Sequence, residues 1–141
     1  MTAPGAARTP PAKRAARIPA VPGPFRQRVY EIVQAIPPGR VITYGGLAAC
    51  IPPPAGLDWE AYGRIRARWA GYALADCPDD LPWQRVVNAQ GRISPRPGHG
   101  PHVQRLLLEE EGVVFRQDGR LDLAQYLWQP DPEWRRRKGL L

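Results

Sequence analysis

Apolar residues recur at three- and four-residue spacing through Phe25, Val29, Ile32, Val33 and Ile36, which predicts a helix over 24–36 with one buried face. Pro24 suits the first turn, where no amide hydrogen is needed, and Pro37-Pro38-Gly39 ends the helix. Val41-Ile42 reads as a short extended link, and Thr43 as the N-cap of a short helix through about Cys50. After the stiff loop Ile51–Asp58, Asp58 caps a third helix expected over 59–75. Arg85–Ile93, with its polar glycine-containing turn, reads as a hairpin. A helix over 102–111 follows, with Val103, Leu106 and Leu107 inward and Gly112 as its stop. Val113-Val114-Phe115 and Leu121 flank a hairpin-like turn at Gln117–Arg120, and Asp122 with Gln125 starts a last short helix through Leu127.

These elements predict an α/β, mainly α, small winged-helix-like domain over 24–128, with the second and third helices forming a helix-turn-helix. The third helix carries Arg64, Arg66 and Arg68, which read either as a phosphate track or as a solvated face.

Charge changes this picture only modestly. The net charge of +7 comes from 20 basic and 13 acidic residues. Residues 1–23 carry Arg8, Lys13, Arg14 and Arg17 with no acid, and five prolines, so they read as a disordered basic arm. Residues 129–141 carry Arg135, Arg136, Arg137 and Lys138 against Asp131 and Glu133, and read as a basic C-terminal tail. Such tails favour polyanions without specifying one. No apolar run is long enough to span a bilayer, so no membrane partner is expected. Cys50 and Cys77 with His99 and His102 match no zinc spacing, so no metal is expected and buried free thiols are the better reading.

The specific signal lies in Pro82-Trp83-Gln84-Arg85-Val86-Val87-Asn88-Ala89-Gln90-Gly91. This stretch resembles the Pro-Cys-His-Arg-Val active-site signature of O6-alkylguanine-DNA alkyltransferases, with Trp83 where the alkyl-accepting cysteine belongs. The Pro-Trp-x-Arg-Val variant marks the alkyltransferase-like proteins. Three further segments match in order and spacing: Gly39–Gly45, Arg68–Leu74 (similar to the recognition helix), and Leu107–Val113. Together they cover about 25–128, without the separate N-terminal domain of full-length alkyltransferases.

The resemblance implies a non-enzymatic sensor that flips O6-alkylguanine out of duplex DNA and flags it for nucleotide-excision repair. It implies no cofactor, a monomer, and a bacterial cytoplasmic location on the nucleoid when DNA is bound. An indole is no substitute for the thiolate that dealkylation needs, yet it offers a flat wall for a base or its alkyl group. A buried core aromatic is the other reading of Trp83. The resemblance makes Arg68 the finger that enters the stack, Tyr44 the residue that turns the target phosphate, and Thr43, Arg64, Ala70 and Gly71 parts of the DNA-binding surface. A phosphate-side surface arginine and a core-edge tyrosine are the alternatives for Arg68 and Tyr44. Val86 and Val87 supply backbone groups near the lesion pocket, and Arg85 and Glu111 support the loop. Gln84 stands where the relay histidine belongs, Trp69 is bulky beside the finger, and the hinge asparagine has no clear match. A winged-helix regulator without lesion preference is the alternative function. An alkyltransferase acting through Cys50 or Cys77 is a third reading, opposed because neither cysteine sits in the Pro-Cys-His-Arg motif or beside a plausible base.

Overall fold

The computed structural model describes residues 20–93 and 101–140. His99 and most of the expected basic arm lie outside them. Helix α1 (Gly23–Ala35) buries Phe25, Val29, Ile32 and Val33, the face set by the apolar spacing. Strand β1 (Ile42–Thr43) leads into α2 (Tyr44–Ala49), where the Thr43 side chain accepts from the Gly46 amide at 2.9 Å. Helix α3 (Trp59–Ala75) starts at Asp58, which accepts from the Ala61 amide at 2.7 Å.

Helices α2 and α3 are locked together by one hydroxyl. Tyr62 is fully buried and its one hydroxyl proton is donated to the Ile51 carbonyl at 2.8 Å, with the Ala48 carbonyl 3.2 Å away. Burial pushes its ionisation up to about 12 despite the opposing pull of Arg66. The helix-turn-helix thus closes around a satisfied phenol.

A 3-10 turn (Trp83–Arg85) runs directly into β2 (Val86–Val87). The predicted hairpin over 85–93 is corrected here. The turn exists, with the Gly91 amide donating to Asn88 O and the Asn88 amide to Arg92 O, both at 3.0 Å. The strand, however, pairs in parallel with β1, in the register Ile42–Val86 and Thr43–Val87. Two wholly buried valines gain more from a central position than from a solvent-facing hairpin.

Helix α4 (Pro101–Glu110) also turns differently from its expected face. Leu106 is 55% exposed, while Leu108 and Gln104 face inward and Val103 and Leu107 are half-buried. The antiparallel bridge Phe115–Leu121 closes the next turn, and α5 (Leu123–Tyr126) follows with Asp122 as its cap. The Tyr126 carbonyl accepts from the Val41 amide at 2.9 Å, so α5 extends the β1 edge.

Residues 129–141, expected as a basic tail, include helix α6 (Pro132–Arg137), capped by Asp131. Leu140 beyond it is buried in the main core, and Arg28 donates to the Lys138 carbonyl. Val21, within the expected arm, is also buried. No described helix is long and apolar enough to cross a membrane.

Candidate nucleic-acid interface

The β1–β2 pairing is what joins the two sequence segments of interest. It sets Thr43, and Tyr44 after it, alongside Val87, while Trp83 lies in the turn just before the paired valines. Tyr44 is half-buried against the main core. Thr43 is also half-buried, and its hydroxyl oxygen is engaged as the α2 cap, so its first role is to start that helix.

Trp83 is 7% exposed and belongs to the main core cluster. In the free chain its indole is therefore a packed side chain, as in the core-aromatic reading, and any ligand contact requires uncovering it. Val86 and Val87 are wholly buried. The Val86 carbonyl accepts from the Gln104 amide at 3.0 Å. Both sit in the parallel ladder as a buried strand next to the turn, so only their backbone groups, the ones the sequence pointed to, are at issue near a pocket.

Glu111 gathers the loop. Its carboxylate accepts from Arg85 at 2.9–3.1 Å, from Gln84 Nε2 at 2.9 Å and from the Gly39 amide at 2.9 Å. Arg85 also donates to the Ile36 carbonyl at 2.7 Å. Burial alone would raise the Glu111 carboxyl, but hydrogen bonds from Arg85, Gly39 and Gln84 and the charge of Arg85 outweigh it and hold it below the usual value. Gln84 thus keeps the hydrogen bond to the carboxylate without being a proton acceptor in the way an imidazole is. Gly39 has φ +80, and a Cβ there would meet Glu111 O at 3.1 Å, so the α1–β1 turn and the end of α4 approach closely only with glycine.

Arg64, Arg68 and Gly71 repeat at i, i+4 and i+7 along α3, opposite the buried Tyr62, Ala70, Ala73 and Leu74. Both arginines are exposed. Ala70, expected on the binding surface, is wholly buried and faces the core, because it falls on the apolar stripe with Ala73 and Leu74. A Cβ on Gly71 would meet nothing within 4 Å. This helix therefore carries a mid-helical glycine that its own packing does not require. Trp69 turns inward and meets Phe25 edge-on at 5.5 Å and Tyr62 at 6.3 Å, so its bulk stabilises the helix seat instead of crowding Arg68.

Sequence reasoning missed Gln104, which is 2% exposed and tied to the same loop. A glutamine on a helix carries no sequence signal that it faces inward.

Comparison with known proteins follows the same outline. Residues 24–113 match the family model of the 6-O-methylguanine DNA methyltransferase DNA-binding domain. An Escherichia coli relative named DNA base-flipping protein is 41% identical over 108 residues, covering 74% of each chain. Alkyltransferase-like protein 1 of Schizosaccharomyces pombe is 35% identical over 113 residues, covering 75% of this chain and 95% of that one. The crystal structure of S. pombe Atl1 in complex with damaged DNA containing O6-carboxymethylguanine superimposes with a TM-score of 0.60 at 33% identity, over 79% of this chain and 100% of the other.

Proposed function

The chain belongs to the family of 6-O-methylguanine DNA methyltransferase DNA-binding domains, and from that premise we propose that it is a non-enzymatic sensor of O6-alkylguanine in duplex DNA. What carries the reading is Trp83, standing where the signature that this stretch resembles has its cysteine, in a turn anchored through Gln84 and Arg85 to Glu111.

Alkyl transfer needs a thiolate in line with the alkyl carbon, and indole provides none. Neither cysteine replaces it. Cys50 is buried, and burial pushes its thiol up against the opposing charge of Arg135, which disfavours the thiolate that attack requires. Cys77 is buried too.

The exposed stripe of α3 docks on DNA. Arg64 meets phosphate, while Arg68 enters the stack as the damaged nucleotide turns out, its guanidinium filling the vacated position. The bare edge at Gly71 lets the nucleic-acid backbone come close. Tyr44 presses on the phosphate of the turned nucleotide, and the extruded base comes to rest against Trp83. The indole is covered in the free chain, so capture includes uncovering it. Base extrusion costs a few kcal/mol, and burial of the alkyl group with aromatic contact offsets it. Since the alkyl group is held and not moved, larger groups are accepted. The bound, bent DNA is then handed to nucleotide-excision repair proteins, with the chain acting as a cytoplasmic monomer.

The test is to incubate the protein with duplex bearing O6-methylguanine and then weigh both components. The reading expects an unchanged protein mass and a methyl group still on the DNA. Gain of a methyl group by the protein would contradict it.

A further inference from the structure

Gln104 is buried to 2% exposure on α4, a polar side chain where the rest of the buried face is apolar. Its Nε2 donates to the Gln84 carbonyl at 3.0 Å and to the Val86 carbonyl at 3.0 Å. A primary amide has two N–H donors, and both are committed to these carbonyls on either side of Arg85. Its Oε1 is buried and accepts no hydrogen bond. A buried acceptor left without a partner lowers stability, and an unbranched apolar side chain would fill the same space without that cost. What the amide retains is the fork of its nitrogen.

The fork acts on the backbone of the turn that Glu111 holds by its side chains. Gln104 and Glu111 are seven residues apart, two helical turns, so both address the loop from one side of α4 and its end. Glu111 holds the side chains of Gln84 and Arg85. Gln104 holds the Gln84–Arg85 and Val86–Val87 peptide units, and so fixes the backbone that leads directly out of the Trp83 turn.

We propose that Gln104 is a positioning residue for lesion recognition: by fixing the Gln84 and Val86 carbonyls it orients the Trp83 turn against which the extruded base packs. The inference rests on the reading of Trp83 as the lesion contact. It adds a determinant of lesion preference that touches neither base nor phosphate.

The experiment compares the wild type with Gln104→Met, which keeps length and removes both donors. Gln104→Glu, which sets a carboxylate against the two carbonyls, decides the matter where the methionine variant is insoluble. Leu108→Ala serves as comparator, since it loosens the same helix, and the Val87 packing beside the turn, while leaving the Gln84 and Val86 carbonyls their donors. The readout is the ratio of affinities for O6-methylguanine duplex over the guanine duplex, from one preparation at one salt concentration. Any inactive fraction cancels in that ratio. The proposal expects the ratio to fall at least tenfold in the Gln104 variants and to stay within twofold of wild type in Leu108→Ala. An unchanged ratio in the Gln104 variants, or an equal fall in all three, overturns it. A wild type that itself prefers neither duplex refutes the underlying reading instead, and the two failures are told apart by the wild-type measurement.

Discussion

The Arg85 guanidinium meets the Glu111 carboxylate at 2.9 Å, with side chains only 14% and 13% exposed. Between them they close three segments that are distant in sequence. Arg85 reaches back to Ile36 at the end of α1, and Glu111 to Gly39 in the turn after it. Such a pair stabilises less by its own attraction than it costs when broken, because removing one member strands the other charge out of water.

Glu111→Gln is therefore expected to destabilise the chain by about 3 kcal/mol, the range for breaking a buried ion pair. Thermal unfolding checks it, with a fall in Tm of roughly 10 °C for a domain of this size.

The same carboxylate sets an acid limit. Its folded value lies below the ordinary 4.5, so its contribution is present above that value and is lost as pH falls through the folded value. The stability difference between wild type and Glu111→Gln should be full at pH 7 and shrink steadily below about pH 4.5. Urea titrations at a series of pH values measure it. A gap that persists undiminished below pH 3 would show that the carboxylate charge is not what holds the loop.

Gly71→Ala should separate folding from binding. A Cβ there meets nothing in the free chain, so alanine in mid-helix raises stability by about 0.5–1 kcal/mol. It stands where the nucleic-acid backbone approaches, so affinity for DNA should fall about tenfold, or 1.4 kcal/mol. Gain of stability without loss of binding would remove this stretch of α3 from the interface.

Arg64→Ala is expected to weaken binding to damaged and undamaged duplex alike, and to lower the slope of log affinity against log salt by about 1, the signature of one lost phosphate contact. A loss confined to the damaged duplex would reassign Arg64 to the lesion itself.

Trp83→Cys restores the thiol of the signature but not its surroundings. Gln84 cannot take the thiol proton, and a largely buried thiol resists ionisation. We expect no alkyl transfer, read as an unchanged protein mass after incubation with methylated duplex. Uptake of a methyl group would mean that the loop activates a thiol without a base.

Much of the fold was legible because its signals are local. The apolar spacing of Phe25 to Ile36 reports a helix that buries one face, and Thr43, Asp58 and Asp122 each cap the helix that follows them, as their short polar side chains suggested. The parallel register of Ile42–Val86 and Thr43–Val87 was not legible. It pairs two-residue strands across more than forty residues, and two adjacent valines carry no sign of their partner. Helix α6 carried a local signal that the basic run masked: Asp131-Pro132-Glu133 is a good helix start, and the arginines suit its last turn.

At the site, the matching segments fall on the turn at Trp83–Arg85, the start of α2, one stretch of α3 and the end of α4. They did not reveal that Trp83, Val86 and Val87 are covered in the free chain, or that Ala70 faces the core. Burial depends on what packs across from a residue, which its neighbours in sequence do not state. Gln104 was silent for the same reason, since a glutamine in a helix reads as solvent-facing until its partners are known.

The most direct test of the sensor reading is equilibrium binding to two labelled duplexes, identical except for guanine or O6-methylguanine at one position, at one fixed moderate salt concentration. The account predicts tighter binding to the lesion, a preference that Arg68→Ala and Tyr44→Ala each erode, and an alkyl group still on the DNA at the end. Equal affinity for the two duplexes would contradict it and leave a general DNA-binding module built on the same fold.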